Sequence, residues 1–171
     1  MGQELGDLRI SILEGRYEDA LAIVDELEGM SKQAIIRNIE SFLVRLLVHL
    51  IKNQVEERLT NSWAVYIVDS VRQIKKLNLK YNKRSYYINI DQWSEFLEDA
   101  FQAAIRLAST EILGGNLKPK QILSRVSQEK LMQIAQDLLA LTYSYDSKDL
   151  PGQVDQFLSS LPGGQEWFEE E

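Results

Sequence analysis

The sequence contains no cysteine, one histidine and three prolines in 171 residues. The lack of cysteine excludes disulfide bonds, thiolate nucleophiles and cysteine-ligated zinc or iron–sulfur sites. Because His49 is the single imidazole, the paired-histidine ligand sets of zinc hydrolases and di-iron bundles are excluded as well. No catalytic residue, metal site or cofactor is predicted, and the sequence favours a protein that is not an enzyme.

Long apolar runs are also lacking. The most apolar stretch is interrupted by four cations, Lys32, Arg37, Arg45 and Lys52, and is too short to span a membrane. The N-terminal residues lack the basic and then apolar pattern of a signal peptide. We therefore expect no membrane contact and a cytoplasmic location.

The net charge of −7 is unevenly distributed. Residues 70–90 contain no acidic side chain but include Arg72, Lys75, Lys76, Lys80, Lys83 and Arg84. An acidic protein repels nucleic acid at long range, so a nucleic-acid role would depend on this basic segment.

Apolar residues recur at helical spacing along most of the chain. The pattern predicts an all-α, single-domain antiparallel bundle of about six to seven helices around a long central helix over residues 31–53. A separate helix ending near Gly29 precedes it, and later helices begin near Trp63, Asp91, Pro119, Ser127 and Pro151. Residues 1–144 are assigned to the bundle, and residues 145–171 to a short C-terminal helix and a frayed acidic tail. The segment Ser85–Ile90 has strand-like composition but no partner strand, which favours an extended loop.

Two polar residues interrupt the apolar arc of the central helix. Glu40 falls inside the arc, where an unpaired carboxylate would cost several kcal/mol, so Arg58, Arg72 or the Trp63 indole is expected to partner it. His49 falls at the edge of the arc. It is interpreted as a packing residue that donates one hydrogen bond, against a catalytic or pH-sensing role.

The candidate binding residues are Glu40, His49, Lys52, Arg58, Trp63 and Arg72. An enzyme would require Glu40, Arg58, Trp63 and Arg72 to line an open pocket instead of a sealed core.

The basic segment 72–87 gives an alternative function, that of a nucleic-acid-associated regulator. Cations and tyrosines that could contact phosphates and stack on bases alternate there: Lys75, Lys76, Lys80, Lys83, Arg84, Tyr86 and Tyr87. Lysines at the end of a helix also complement its dipole, and tyrosines after a helix commonly pack back onto it.

Residues in the first two thirds of the chain resemble the bacterial, largely cyanobacterial, domain-of-unknown-function family twenty-nine. The resemblance covers about Gly2 to Leu113 and rests on Tyr17–Lys32, Glu40-Ser41-x-Leu43, Leu46–Lys52, Arg58, Ser62-Trp63, Ile67 and Arg72-x-Ile74. The commoner version of the family has an aromatic residue and a proline after the segment that corresponds to Leu46–Lys52, where this chain has Asn53 and Val55. The resemblance implies an all-α fold and supplies no activity, substrate or cofactor.

Two functional hypotheses remain open. The first is a non-enzymatic protein-interaction or self-associating module, with a homodimer or another protein as partner, because apolar residues such as Val65, Tyr66 and Val68 widen the apolar face of the helix that contains them. The second is the nucleic-acid-associated regulator.

Overall fold

The computed structural model describes residues 2–169, which form an all-α helix bundle, as predicted. Eight α-helices and one short 3₁₀ turn occur in this range: α1 Gly2–Leu13, α2 Tyr17–Glu56, α3 Asn61–Asn78, α4 Trp93–Ser109, the 3₁₀ turn Ile112–Gly115, α5 Pro119–Leu123, α6 Gln128–Ser144, α7 Leu150–Leu158 and α8 Gly164–Glu169. No strand is present in the described residues, and the segment predicted as an extended loop makes one isolated antiparallel bridge, between Leu79 and Tyr86.

The long central helix is longer than predicted. α2 is a single helix of 40 residues, and it passes through Gly29 and Ser31 without a break. The predicted helix end near Gly29 and the predicted start of the central helix at residue 31 are therefore wrong. One glycine within a helix costs only about 1 kcal/mol relative to alanine, which the flanking helix-forming residues offset.

The chain forms two compact units, one ending at Arg37 and the other beginning at Asn38. In the second unit, the predicted apolar arc of α2 is buried at Ile39, Leu43, Leu46, Leu47 and Leu50. Apolar residues of α3, α4, α6 and α7 complete this core. α3 packs on α6 and α7, and α4 packs on α5 and α6.

Helix starts follow local chemistry more than apolar periodicity. The Thr60 side chain accepts a hydrogen bond from the Trp63 backbone N–H, and Ser127 does the same for Lys130, as N-caps do. Pro119 opens α5, as predicted. The helix predicted to begin near Asp91 is α4, which begins at Trp93, and the preceding Gln92 makes no capping hydrogen bond with its side chain.

The C-terminal turn docks on the end of α2. The buried Asn53 amide donates to the carbonyl oxygens of Arg58 at 3.0 Å and Pro162 at 2.8 Å. Residues 165–169, expected to fray, belong to α8, whose Trp167 indole donates to Asn61 at 3.3 Å. The last two residues of the expected tail lie outside the described range.

Candidate functional site

Most of the predicted binding residues lie along one polar face between α2 and α3. Because α3 runs antiparallel to the end of α2, residues that lie far apart in sequence face each other at regular intervals. We call this set the α2–α3 strip; it consists of Arg45, His49, Lys52, Arg58, Trp63, Tyr66, Asp69 and Arg72.

Two cations contact the Trp63 ring at the end of the strip where α3 begins. The Arg58 guanidinium carbon lies 4.8 Å from the ring centroid, and Lys52 Nζ lies 5.7 Å from it. Each cation also has a carboxylate: Arg58 pairs with Glu56 at 3.0 Å, and the nearly buried Lys52 pairs with Glu111 at 3.0 Å. These cations are thus neutralised within the protein.

His49 occupies the middle of the strip and is only 8% exposed. Its Nδ1 lies 2.8 Å from the Arg45 carbonyl oxygen, which can only accept, so Nδ1 carries the proton. The ring stacks on Tyr66 with centroids 4.8 Å apart. Burial lowers the pKa of His49, and the nearby Lys52 and Arg45 charges act in the same direction against the backbone hydrogen bond. The imidazole is therefore neutral near pH 7, in agreement with the packing interpretation.

Asp69 lies at the other end of the strip and pairs with two arginines. Its carboxylate pairs with Arg45 at 3.3 Å and with Arg72 at 3.2 Å. The Arg45 guanidinium also lies 4.5 Å from the Tyr66 ring centroid. Each arginine of the strip is thus held by a carboxylate, an aromatic ring or both, an arrangement that stabilises the α2–α3 contact.

Glu40 does not join the strip. The expected burial of its carboxylate is not found, because Glu40 is exposed although the adjacent Ile39 is fully buried. After Ala20, the next buried residue along α2 is Ile39, so neighbouring helices do not cover the full arc that the helical wheel predicts around Glu40. Its expected partners pair elsewhere, Arg58 with Glu56 and Arg72 with Asp69.

Tyr66, Asp69 and Glu111 were not predicted as binding residues, and Tyr66 was named only for its apolar character. Tyr66 and Asp69 follow Trp63 along α3 at intervals of three residues. That spacing on one helix, opposite Arg45, His49 and Lys52 on the other, is the signal that could have identified the strip. Glu111 follows α4 and carries no local signal of its contact with Lys52.

The outer face of α3 contributes to a separate, more apolar groove. A cavity of about 370 Å³ lies between α3, α7 and α8 and is lined by Val65, Val68, Arg72, Pro151, Asp155 and Trp167, among others. Burial raises the pKa of Asp155. Val65 and Val68 thus border a groove outside the core, whereas Tyr66 packs on His49.

The basic segment forms a second polar surface, which we call the lysine groove. It has a volume of about 570 Å³ and is lined by Lys75, Lys76, Leu79, Lys80, Tyr81, Lys83 and Ser147. Lys75 Nζ donates to the Thr142 carbonyl oxygen at 2.6 Å, and Lys80 Nζ lies 5.5 Å from the Tyr87 ring centroid. Tyr86 packs edge-on against Tyr143. Tyr86 therefore serves the fold, as the packing interpretation predicts, whereas Tyr87 is partly buried beside Lys80 and Tyr81 is fully exposed.

The first unit is a helical hairpin with almost no core. Within residues 2–37, Ser11 and Ala20 are the only buried residues. Large apolar side chains on both helices stay exposed: Leu5, Ile10, Ile12, Leu13, Tyr17, Leu21 and Met30. Such a density of exposed apolar residues is typical of an interaction surface.

Residues 16–133 match a protein family described as domain of unknown function DUF29. The chain belongs to this family. The match confirms the resemblance, but it begins at residue 16 instead of near Gly2 and continues beyond Leu113 into α6. No curated protein and no solved structure is significantly similar to the chain.

For this DUF29 member, residues 2–169 contain neither a cluster of metal-binding side chains nor a membrane-spanning helix. No three His, Asp or Glu side chains in that range come together so that they could hold a metal ion. None of the helices described is both long enough and apolar enough to cross a bilayer.

Proposed function

We propose that the chain is a non-enzymatic helical module that self-associates, and that residues 2–37 contact a second copy. The observation that carries the proposal is the burial pattern of this unit, in which α1 buries Ser11 and no apolar residue. An isolated helix of 12 residues is marginal in water, because helices this short gain most of their stability from packing. A covering partner would supply that packing.

Four of the seven exposed apolar residues of the hairpin share one side. At about 100° per residue, Leu5 and Ile12 lie within about 20° of each other on α1, to one side of the face that carries the buried Ser11. Tyr17 and Leu21 lie to one side of Ala20 on α2, and antiparallel geometry puts both pairs on the same side of the hairpin. We call these four residues the hairpin face; Ile10 lies on the opposite side.

The size of this surface suits a second copy. α1 rises about 18 Å and residues 17–37 about 31 Å, and a helix with its side chains is about 10 Å wide. Covering one side of both helices would bury roughly 500 Å² on each copy, so about 1,000 Å² in total, which is near the lower limit for a specific interface. Two hairpins that meet through the same face form a four-helix arrangement with two-fold symmetry, which is the commonest form of self-association.

The experiment is a comparison of molar mass by light scattering for the full chain and two matched variants. Ile12 on the hairpin face and Ile10 on the opposite side are exposed by 51% and 49%, so Ile12→Glu and Ile10→Glu make the same chemical change at equal exposure. We expect a dimer for the unmodified chain and for Ile10→Glu, and a monomer for Ile12→Glu.

A monomeric unmodified chain at high concentration would contradict the proposal, and so would equal dissociation of the two variants. Circular dichroism of both variants separates loss of the contact from loss of the fold. If the unmodified chain is monomeric but another protein protects the hairpin face from proteolysis, that protein replaces the second copy as the partner.

A nucleic-acid-associated regulator is the second candidate function, supported by the unpaired cations of the lysine groove. It is the weaker candidate because Tyr86, which could have stacked on bases, packs edge-on against Tyr143 instead. Salt-dependent retardation of DNA or RNA would support it.

A further inference from the structure

We infer that the lysine groove binds a small ligand that carries two or three linked phosphate groups. This inference is independent of self-association through the hairpin face. It rests on the charge, the rigidity and the dimensions of the groove.

The positive charge of the groove is not neutralised within the protein. Among the residues that the structure describes, no carboxylate forms an ion pair with Lys76, Lys80 or Lys83. Elsewhere the same chain pairs Lys52, Arg58 and other cations with carboxylates at 3.0 Å. Like charges that line one groove without a paired carboxylate repel one another, so an anion bound there would stabilise the arrangement.

The turn that carries Lys80 and Lys83 is held by several internal hydrogen bonds. The Lys80 N–H donates to the Ser85 carbonyl at 2.9 Å, and the Lys83 N–H donates to the Lys80 carbonyl at 2.9 Å. The Asn82 carboxamide oxygen accepts from the backbone N–H groups of Arg84 and Ser85. Lys83 adopts a φ of 59°, which costs energy for a residue with a side chain. The backbone of the groove is therefore ordered before any ligand arrives, which lowers the entropic cost of binding.

A buried network fixes the segment that follows the turn. The Tyr143 hydroxyl donates to the Ile88 carbonyl at 2.6 Å and accepts from the Trp93 indole at 2.8 Å. Asn78 donates to the same hydroxyl at 3.1 Å. Both ends of the lysine-bearing segment are thus anchored in the core.

The dimensions favour a compact anion over a polymer. A volume of about 570 Å³ lies within the range of small-molecule sites, about 300–1,000 Å³. A terminal phosphate group carries about −1.5 to −2 charges and a bridging one about −1, so two or three linked groups come close to balancing the four lysines. Ser147 lines one side of the groove, and the loop around it carries Asp146, Lys148 and Asp149, a net negative charge that disfavours a polyanion extending past it. Asp146 itself is turned toward its own loop, where it accepts from the N–H groups of Lys148 and Asp149.

The experiment is isothermal titration of the full chain with sodium tripolyphosphate at low ionic strength. Orthophosphate, ATP and a 20-nucleotide single strand are the comparison ligands. We expect tripolyphosphate to bind with a stoichiometry of one per chain, more tightly than orthophosphate. Each of Lys76→Gln and Lys83→Gln should weaken binding by about tenfold, because each removes one charged hydrogen-bond donor. Lys130→Gln, an exposed lysine on α6, is the control and should change the affinity less than about twofold.

A Tyr81→Ala variant distinguishes an inorganic polyphosphate ligand from a nucleotide. If Tyr81→Ala weakens ATP binding and leaves tripolyphosphate binding unchanged, the ligand is a nucleotide whose base stacks on this ring. If both are unchanged, the phosphate groups alone are recognised. Either result supports the inference.

Three results would overturn it: no binding of tripolyphosphate at millimolar concentration, equal weakening by Lys130→Gln, or equal affinity for orthophosphate. Tighter binding of the single strand than of tripolyphosphate would also overturn it, in favour of nucleic acid.

Discussion

Asn78 and Ile88 exchange two hydrogen bonds, as paired residues of neighbouring strands do. The Asn78 amide donates to the Ile88 carbonyl at 2.8 Å, and its oxygen accepts from the Ile88 N–H at 2.7 Å. The side chain of a helix residue thus replaces a strand backbone, and this explains why the strand-like segment needs no partner strand.

Replacement of Asn78 by alanine should leave both polar groups of Ile88 buried with fewer partners. We expect the free energy of unfolding to fall by about 2–3 kcal/mol, as measured by urea denaturation. Asn89→Ala, at an exposed position nearby, should change it by less than about 0.5 kcal/mol. Equal effects of the two substitutions would mean that the Asn78 bonds contribute little.

The neutral state of His49 makes stability depend on pH. Because burial lowers its pKa in the folded protein, the unfolded chain binds the proton more readily. The His49 contribution to stability is therefore fully present above the unfolded pKa of about 6.5 and is lost as the pH falls toward the folded pKa. His49→Gln should flatten this part of a plot of unfolding free energy against pH. An unchanged slope in the variant would show that other groups cause the dependence.

Lys52 is nearly buried between Trp63 and Glu111. Reversing its charge should therefore lower the stability of the protein more than removing the charge does. Lys52→Met keeps the length of the side chain and should destabilise the protein by at most about 1 kcal/mol. Lys52→Glu places two carboxylates together and should cost about 3 kcal/mol. Thermal unfolding distinguishes the two, and similar melting temperatures would contradict the expectation.

Gly163 lies where a side chain cannot fit. Its φ is 73°, and a Cβ there would lie 2.8 Å from both Arg58 Cα and Leu59 N. These are backbone atoms, so Gly163→Ala should destabilise the protein by about 2–4 kcal/mol. Gly152, in α7, has open space around it, and Gly152→Ala should stabilise the protein by about 0.4–1 kcal/mol. If the turn docks on α2 as described, chemical denaturation should show a lower unfolding free energy for Gly163→Ala and a higher one for Gly152→Ala.

Salt should act in opposite directions on the two proposed surfaces. Residues 2–37 contain eight acidic and four basic residues, so two copies repel each other and added salt should strengthen the dimer. Tripolyphosphate binding at the lysine groove should weaken with salt, because it depends on attraction. Sedimentation and titration at about 50 and 300 mM salt, on either side of physiological ionic strength, test both trends.

The helix class, the buried arc of α2 and most helix starts could be predicted, because apolar periodicity, caps and prolines are local signals. The continuation of α2 through Gly29 could not be predicted, because the small helix-propensity cost of one glycine does not decide whether a helix ends. The exposure of Glu40 depends on which neighbours cover α2, and the Lys52–Glu111 pair depends on the path of α4. Such contacts follow from tertiary packing and leave no trace in residue spacing.

The continuity of α2 has a consequence for hydrogen exchange and for folding order. Residues 38–56 are held by the core, so the helix need not nucleate again to continue through residues 17–37. Amide protection should therefore decline steadily from Leu50 toward Tyr17, without a step at Gly29. A helix that propagates from a folded core is already largely ordered when its partner arrives, which spares the association most of the cost of coupled folding.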